Sequence, residues 1–228
     1  SRYGSLSLNK VHQLEQPVQP QGPYAFASPV ARRALLDSAA VSFERHTEDD
    51  YIDFYYERNL PELLSREGPA LAKGDVNDDG LEDVYIGGAR YQSGRLYLQR
   101  ADGSWEAKRQ SSFEQYMDYE EVAAVLFDAD GDKDLDLFVG SGGNFTTGNS
   151  RELQHRLYLN DGQGNYSLSY ESGLGKNEMN ISVAVAGDYD GDGDQDLFVG
   201  SRSVPLQYGV TPKSYLYRNE GGGKFREL

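Results

Sequence analysis

Three short stretches of the sequence concentrate side-chain oxygen atoms at one repeated spacing. They span residues 75–83, 128–136 and 188–196, and each has Asp or Asn at its positions 1, 3, 5 and 9. A tight loop points every second side chain inward, and the backbone carbonyl of position 7 adds one more oxygen. The predicted ligands are Asp75, Asn77, Asp79, Leu81 and Asp83, then Asp128, Asp130, Asp132, Asp134 and Asp136, and then Asp188, Asp190, Asp192, Asp194 and Asp196.

Such a loop, with a water, offers about six or seven oxygen ligands, which is the set that Ca²⁺ takes at roughly 2.3–2.6 Å. Mg²⁺ demands a tighter octahedron, and no Cys or His lies nearby to favour a softer metal. The sequence therefore predicts up to three Ca²⁺ ions. The alternative is that these stretches are solvated acidic turns that hold no ion.

The loops begin like an EF-hand but do not end like one. The bidentate Glu that an EF-hand needs at position 12 is missing, because Ile86, Val139 and Val199 stand there. These residues and their neighbours are typical of β-strands, so we predict metal-binding hairpins within a sheet. The second loop fits less well, since Lys133 replaces the turn-forming Gly at position 6.

Almost all of the net negative charge of the chain lies in these loops. The net charge is -15, and the three stretches hold 15 of the 37 acidic residues and one of the 22 basic residues. The remainder is nearly neutral, with 22 acids against 21 bases. This excludes a diffusely acidic disordered chain. No basic stripe is present, so nucleic acid is not an expected partner.

The acidic stretches belong to an internal repeat. Their first residues are 53 and 60 positions apart, and each is followed by an apolar run such as 137–140. A second element recurs downstream at residues 96–99, 157–160 and 216–219, followed each time by a Gly turn and an aromatic residue. Four strands per repeat at this period are typical of β-propeller blades. The alternative is a β-sandwich with coincidental acidic turns.

In the second repeat the predicted strands are residues 122–127, 137–141, 156–159 and 166–170. The predicted fold class is all-β, with three four-stranded blades at about residues 68–115, 116–175 and 176–228. Residues 1–67 do not repeat. We expect an irregular arm there that packs on the first blade, with a linker over 16–23 and a short helix over 31–40.

These motifs resemble the FG-GAP/VCBS repeat family, which includes the Ca²⁺-binding blades of integrin α-subunits. The resemblance covers about residues 68–228, and 68–75 is also similar to large secreted bacterial members, some of which carry an ASPIC/UnbV module. It implies an extracellular or cell-surface location, structural calcium, and protein or glycan ligands. The family does not imply one activity.

Three repeats are fewer than the roughly four to eight blades of a closed propeller. We therefore expect an open arc, whose remaining blades come from a longer parent chain or from other subunits of a surface complex. The missing initiator Met favours the longer parent.

A search for catalytic groups finds little. The chain has no Cys, and His12, His46 and His155 lack the spacing of a zinc site, so hydrogen-bonded or exposed imidazoles are expected. Glu120 and Glu121 are adjacent, and adjacent strand residues point to opposite faces. No apolar run is long enough to span a membrane. We expect a non-enzymatic binding module with no catalytic residue. The alternative is part of a secreted glycan-active enzyme whose catalytic residues lie elsewhere in the parent.

Overall fold

The computed structural model describes residues 41–228, which contain three four-stranded antiparallel sheets, each built from consecutive strands. The first sheet consists of β1 (Leu71–Gly74), β2 (Asp83–Ile86), β3 (Arg95–Gln99) and β4 (Trp105–Lys108). The second consists of β5 (Glu120–Phe127), β6 (Asp136–Gly142), β7 (Arg156–Asn160) and β8 (Tyr166–Leu168). The third consists of β9 (Asn180–Gly187), β10 (Asp196–Ser203), β11 (Tyr215–Asn219) and β12 (Phe225–Glu227).

The only other regular elements of the described chain are one helical turn, α1 (Ser111–Glu114), and two 3-10 turns, Asp53–Tyr55 and Arg151–Leu153. None of these is long and apolar enough to cross a membrane. The prediction of an all-β fold with three four-stranded repeats is confirmed. The linker and helix predicted before residue 41 lie outside the described residues.

The sheets follow one another as an open arc. The first strand of each sheet lies beside the first strand of the next, so that β1 contacts β5 and β5 contacts β9. Within residues 41–228 no comparable contact joins β9 back to β1, so the ring is not closed. This arrangement agrees with the predicted partial propeller.

Two apolar cores fill the spaces between the sheets. The strand β6 is buried along its whole length because it lies between them. Leu137 and Val139 on one face belong to the core shared with the first sheet, whereas Phe138 on the other face belongs to the core shared with the third. The period-2 alternation of a strand thus assigns each residue to one of two neighbours.

A buried ion pair joins the first two sheets. The Glu121 carboxylate accepts hydrogen bonds from Arg156 Nη1 at 2.8 Å, from the Tyr85 hydroxyl at 2.7 Å and from the Gly88 N–H at 2.8 Å. Gly94 lies so close that an added Cβ would be 2.5 Å from the same carboxylate. The guanidinium of Arg156 also lies over the ring of Tyr119, 4.4 Å from its centroid. The pair is therefore almost fully desolvated and held from several sides.

Residues 41–67, which we call the strap, contact all three sheets. The Phe43 ring lies 4.5 Å from the Tyr97 ring of the first sheet, measured between centroids. Glu57 accepts a hydrogen bond from Asn144, which follows β6, at 2.5 Å. Glu62 and Glu67 form ion pairs with Arg202 of the third sheet.

Replacing Arg156 tests the weight of the buried ion pair. In Arg156→Met the Glu121 carboxylate stays buried without its counter-charge, so the free energy of unfolding should fall by about 3–5 kcal/mol. Denaturant unfolding measures it. Arg151→Met is the matched control, because Arg151 is exposed and pairs only at the surface, and it should change nothing measurable. Equal losses in the two variants would contradict the assignment.

Candidate metal centres

Each acidic loop connects the first and second strands of its sheet, and its backbone turns twice through the left-handed region. Position 4 has a positive φ in all three loops, and so does position 6. The residues concerned are Asp78 and Gly80, Gly131 and Lys133, and Gly191 and Gly193. Lys133, with φ 79°, therefore adopts the conformation that Gly adopts in the other loops. The replacement of Gly by Lys at position 6 therefore leaves the backbone shape of the second loop unchanged.

The aspartate at position 1 fixes the turn by accepting backbone N–H groups. In the second loop the two Asp128 oxygens accept from Gly131 at 2.8 Å and from Lys133 at 3.1 Å. Asp188 accepts from Gly191 at 2.7 Å and from Gly193 at 3.1 Å in the same way. Asp75 bonds to the position-6 amide of the first loop at 2.7 Å. The loops therefore share one local fold.

The aspartate at position 9 begins the second strand and is buried in every sheet. Asp136 Oδ2 accepts the N–H of Ala129, at position 2 of its own loop, at 2.9 Å. Its Oδ1 accepts the N–H of Asn160, at the end of β7, at 2.8 Å. Asp83 and Asp196 make the equivalent pairs of bonds. Each carboxylate keeps further lone pairs that a cation can use.

The structure brings the carboxylates of positions 1, 3 and 9 together in two of the three loops. In the second loop these are Asp128, Asp130 and Asp136, whose ligand oxygens all lie within 4.8 Å of one another. Asp188, Asp190 and Asp196 form the same group in the third loop. Within the described residues the first loop forms no such group of carboxylates, since its position 3 is Asn77, whose side chain bonds to Asp79 at 3.1 Å.

The remaining predicted ligands lie in the loops without joining these groups. At position 5 the side chains of Asp79, Asp132 and Asp192 accept the N–H of position 7 at 2.9–3.0 Å. Position 7 is occupied by Leu81, Asp134 and Asp194, and the carbonyl ligands predicted there stay a prediction. The oxygen-only donor set fits a hard divalent cation.

Burial and mutual repulsion disfavour bare carboxylates in these loops. Burial raises the pKa of Asp136 to about 7, and the charges of Asp130 and Asp132 add to the rise, against two backbone hydrogen bonds that lower it. The pKa of Asp83 is raised as well, again chiefly by burial. A divalent cation removes the repulsion and competes with protons for the same oxygen atoms.

An asparagine of the following sheet connects the sheets through these loops. Asn160, which ends β7, donates its side-chain N–H groups to the carbonyl of Val76 in the first loop at 2.8 Å and to that of Leu135 at 3.2 Å. Asn219, which ends β11, donates to Ala129 of the second loop at 2.8 Å. The N–H of position 2 donates to the loop's own position-9 aspartate in all three loops, and in the first two loops the C=O of position 2 accepts from the asparagine of the next sheet.

In the sequence this asparagine is visible only as part of a repeated pattern, which does not indicate its role. The two ends of the arc depart from the pattern. The first sheet has Gln99 in place of the asparagine. In the described chain no side chain plays this part for Tyr189, position 2 of the third loop, which is 66% exposed.

The structure also describes the adjacent glutamates and two of the three histidines singled out in the sequence. Glu120 and Glu121 both lie at the start of β5 and are buried, where Glu121 pairs with Arg156 and Glu120 accepts the Arg90 N–H at 2.9 Å. His46 is hydrogen-bonded, as expected. For His155 the expectation is wrong, because its ring packs against Phe138 and other aromatic residues with no hydrogen-bond partner. Burial lowers the pKa of His155 to about 3, so it stays neutral.

Comparison with known proteins agrees with the repeat seen in the sequence. The family model of the FG-GAP-like repeat matches residues 75–139 and 128–199, which together span more than half of the chain. Each match runs from the acidic loop of one sheet to the second strand of the next. No curated protein matches the sequence significantly.

Lys133 provides a test of the loop geometry. A side chain in the left-handed region costs about 1–2 kcal/mol, and Gly relieves it at a smaller entropic cost in the unfolded chain. Lys133→Gly should therefore raise the free energy of unfolding by about 0.5–1 kcal/mol in excess Ca²⁺. Lys224→Gly removes the same charge at an exposed position without positive φ and should lower it by a similar amount. A lower free energy of unfolding in both variants would contradict the strained left-handed conformation assigned to Lys133.

Proposed function

The chain belongs to the FG-GAP-like repeat family, and we propose that it is a Ca²⁺-stabilised β-propeller module outside the cell that binds a protein or glycan and performs no catalysis. The observation that carries this proposal is the position of the acidic loops. The first two lie in the joints between sheets, where Asn160 and Asn219 hold them. A cation in such a joint stabilises the arc.

The proposal of Ca²⁺ rests on the oxygen ligands, and the proposed extracellular location rests in turn on Ca²⁺. All the proposed ligands are oxygen atoms, and two loops bring three carboxylates together. Exposed hairpin loops of this kind match extracellular modules, whose dissociation constants are about 10⁻⁴–10⁻³ M. Calcium at that level is found outside cells, and a chain without Cys is suited to an oxidising exterior.

A contiguous row of aromatic side chains supports a binding role. Tyr56 stacks on Tyr51 with ring centroids 5.3 Å apart, and Tyr51 meets the edge of Phe145. The Arg90 guanidinium lies over Phe145 and over Tyr91, at 4.3 Å and 4.7 Å from their centroids. Tyr56 and Tyr91 are more than half exposed. We call these five residues the aromatic row; flat rings beside a cation are typical of surfaces that bind sugars or proteins.

Exposed apolar residues on the outer face of the third sheet support the proposal that a further blade is a partner. Phe198 is 44% exposed, whereas Tyr85 and Phe138 at the same position of the other sheets are fully buried under the next sheet. Val185 and Tyr189 are exposed on the same face. We propose that another blade of this kind covers it, supplied by a longer parent chain or by another subunit, with an asparagine donating to the Tyr189 carbonyl.

Calcium removal tests the structural role of the ion. With dissociation constants of ~0.1 mM and ~1 mM free calcium, linkage gives about 1.4 kcal/mol per site and about 4 kcal/mol for three sites. For a chain of this size the melting temperature in EGTA should therefore be lower by roughly 10 °C than in Ca²⁺. Differential scanning calorimetry measures the shift.

Single substitutions then assign the ions to the loops. Asp136→Asn and Asp196→Asn should each reduce the number of bound Ca²⁺ ions by one in calorimetric titration. Asp102→Asn is the control, because Asp102 is an exposed turn carboxylate that bonds to Ser104 outside the loops. A melting temperature that EGTA leaves unchanged would show that the ions are not structural.

The aromatic row is tested by binding to an array of immobilised oligosaccharides in excess Ca²⁺. Tyr56→Ser and Tyr91→Ser should each weaken binding of any captured glycan roughly tenfold or more, the loss expected for an anchor residue. Tyr170→Ser is the matched control, because Tyr170 is 82% exposed and belongs to no part of the row. Equal binding by all three variants would rule out the row as the glycan site.

A further inference from the structure

Three side chains from two separate segments meet where β5 begins, away from the acidic loops. His46 and Glu48 belong to the strap, and Glu120 is the first residue of β5. A ring nitrogen of His46 and one carboxylate oxygen from each glutamate all lie within 4.8 Å of one another. The group combines imidazole and carboxylate donors, unlike the oxygen-only loops.

Two oxygen atoms of this group are buried and lack hydrogen-bond partners. Glu120 is only 2% exposed, and while its Oε2 accepts the Arg90 N–H, its Oε1 accepts nothing. Glu48 Oε1 meets His46 Nε2 at 2.9 Å and accepts the Gly68 N–H at 3.2 Å, whereas its Oε2 is buried without a partner. Unsatisfied buried carboxylate oxygens are costly, so their presence in a pair points to a bound cation.

The local charge has the same implication. The carboxylates of Glu48, Asp49 and Glu120 stand against one guanidinium, that of Arg90, which lies 3.3 Å from Asp49. The neighbouring Glu121 is already paired with Arg156. Burial raises the pKa of Glu120 to about 8, and the charges of Glu48 and Asp49 contribute to the rise. The cluster therefore lacks positive charge, which either a proton or a metal ion can supply.

We propose that His46, Glu48 and Glu120 form a site for one first-row divalent transition metal ion of the Zn²⁺ type. An imidazole ligand suits Zn²⁺, Co²⁺ or Fe²⁺ better than Ca²⁺ or Mg²⁺. Three protein ligands leave a fourth position for water or another group. Glu48 also lines a surface cavity of about 390 Å³ beside Asp49, Arg90 and Tyr91, so the site lies next to open space.

The site would tie the strap to the second sheet. His46 and Glu48 lie shortly after Phe43 and Glu44, which cover the first sheet, and Glu120 opens the second. A metal ion between them would fix the strap across the joint at the end opposite to the acidic loops. This inference does not depend on the identity of the ligand bound by the aromatic row.

Co²⁺ is the probe, titrated into the full chain in saturating Ca²⁺ so that the loops are filled. We expect one Co²⁺ per chain, with visible absorption bands that Zn²⁺ abolishes and further Ca²⁺ does not. His46→Gln and Glu120→Gln should each weaken Co²⁺ binding by at least about tenfold. Glu114→Gln is the control and should bind as the parent does, since Glu114 is a carboxylate engaged with Arg109 elsewhere.

The melting temperature without transition metal accompanies each titration. Should Glu120→Gln fail to fold, His46→Gln decides, because His46 is partly exposed and its replacement leaves the sheets intact. Absence of a Ca²⁺-resistant Co²⁺ band in the parent chain would overturn the proposal. Co²⁺ binding that His46→Gln leaves unchanged would overturn it as well, because the ion would then lie elsewhere.

Discussion

One buried carboxylate in each blade connects the acidic loop to the rest of the sheet. Asp136 shows the constraint: one oxygen holds the N–H of Ala129 in the loop, and the other holds the N–H of Asn160 at the far strand. A carboxylate in this position must be ionised to accept both bonds well and to ligate a cation, yet burial favours its protonated form. The backbone amides offset part of that cost, and a bound cation would offset more of it, which would couple the hairpin, the third strand and the ion energetically.

The coupling continues from one sheet to the next. The backbone N–H that donates to Asp136 belongs to Asn160, and the side chain of Asn160 donates to the carbonyl of Val76 in the preceding loop. Distortion of one loop is therefore felt in the position of the neighbouring sheet. At the other end of the strands Glu121, which is paired with Arg156 of its own sheet, accepts hydrogen bonds from Tyr85 and Gly88 of the first sheet and so connects the same two sheets. The apolar core between the two sheets is thus bounded by polar contacts at both ends of the strands. Because hydrogen bonds are directional, these contacts define how the two sheets are aligned.

The sequence alone predicted the parts of the structure that are local and repeated. In the second sheet β6 and β7 begin and end within a residue of their predicted bounds, because Val, Leu, Phe and Tyr runs between Asp and Gly turns define strands directly. The start of β5 was missed by two residues, since Glu120 and Glu121 are polar and become strand residues only through contacts with Arg90, Gly88 and Arg156. The bond of Asn160 to Val76 and the approach of His46 to Glu120 were not predictable, because these partners are distant in sequence.

The two ends of the arc differ, and the difference gives the module a direction. On the outer face of the first sheet Lys73 stands where Leu126 and Ala186 stand in the other sheets, and it pairs with Glu82. The strap covers part of the same face, with Phe43 on Tyr97 and Glu44 paired with Arg95, while Leu71 stays exposed there. The opposite face of the third sheet keeps the apolar residues that are buried in the inner joints, and Phe198 and Tyr189 are exposed on it. Because a polar, partly covered face disfavours sheet packing and an apolar, open face favours it, we expect the proposed further blade next to the third sheet and not next to the first.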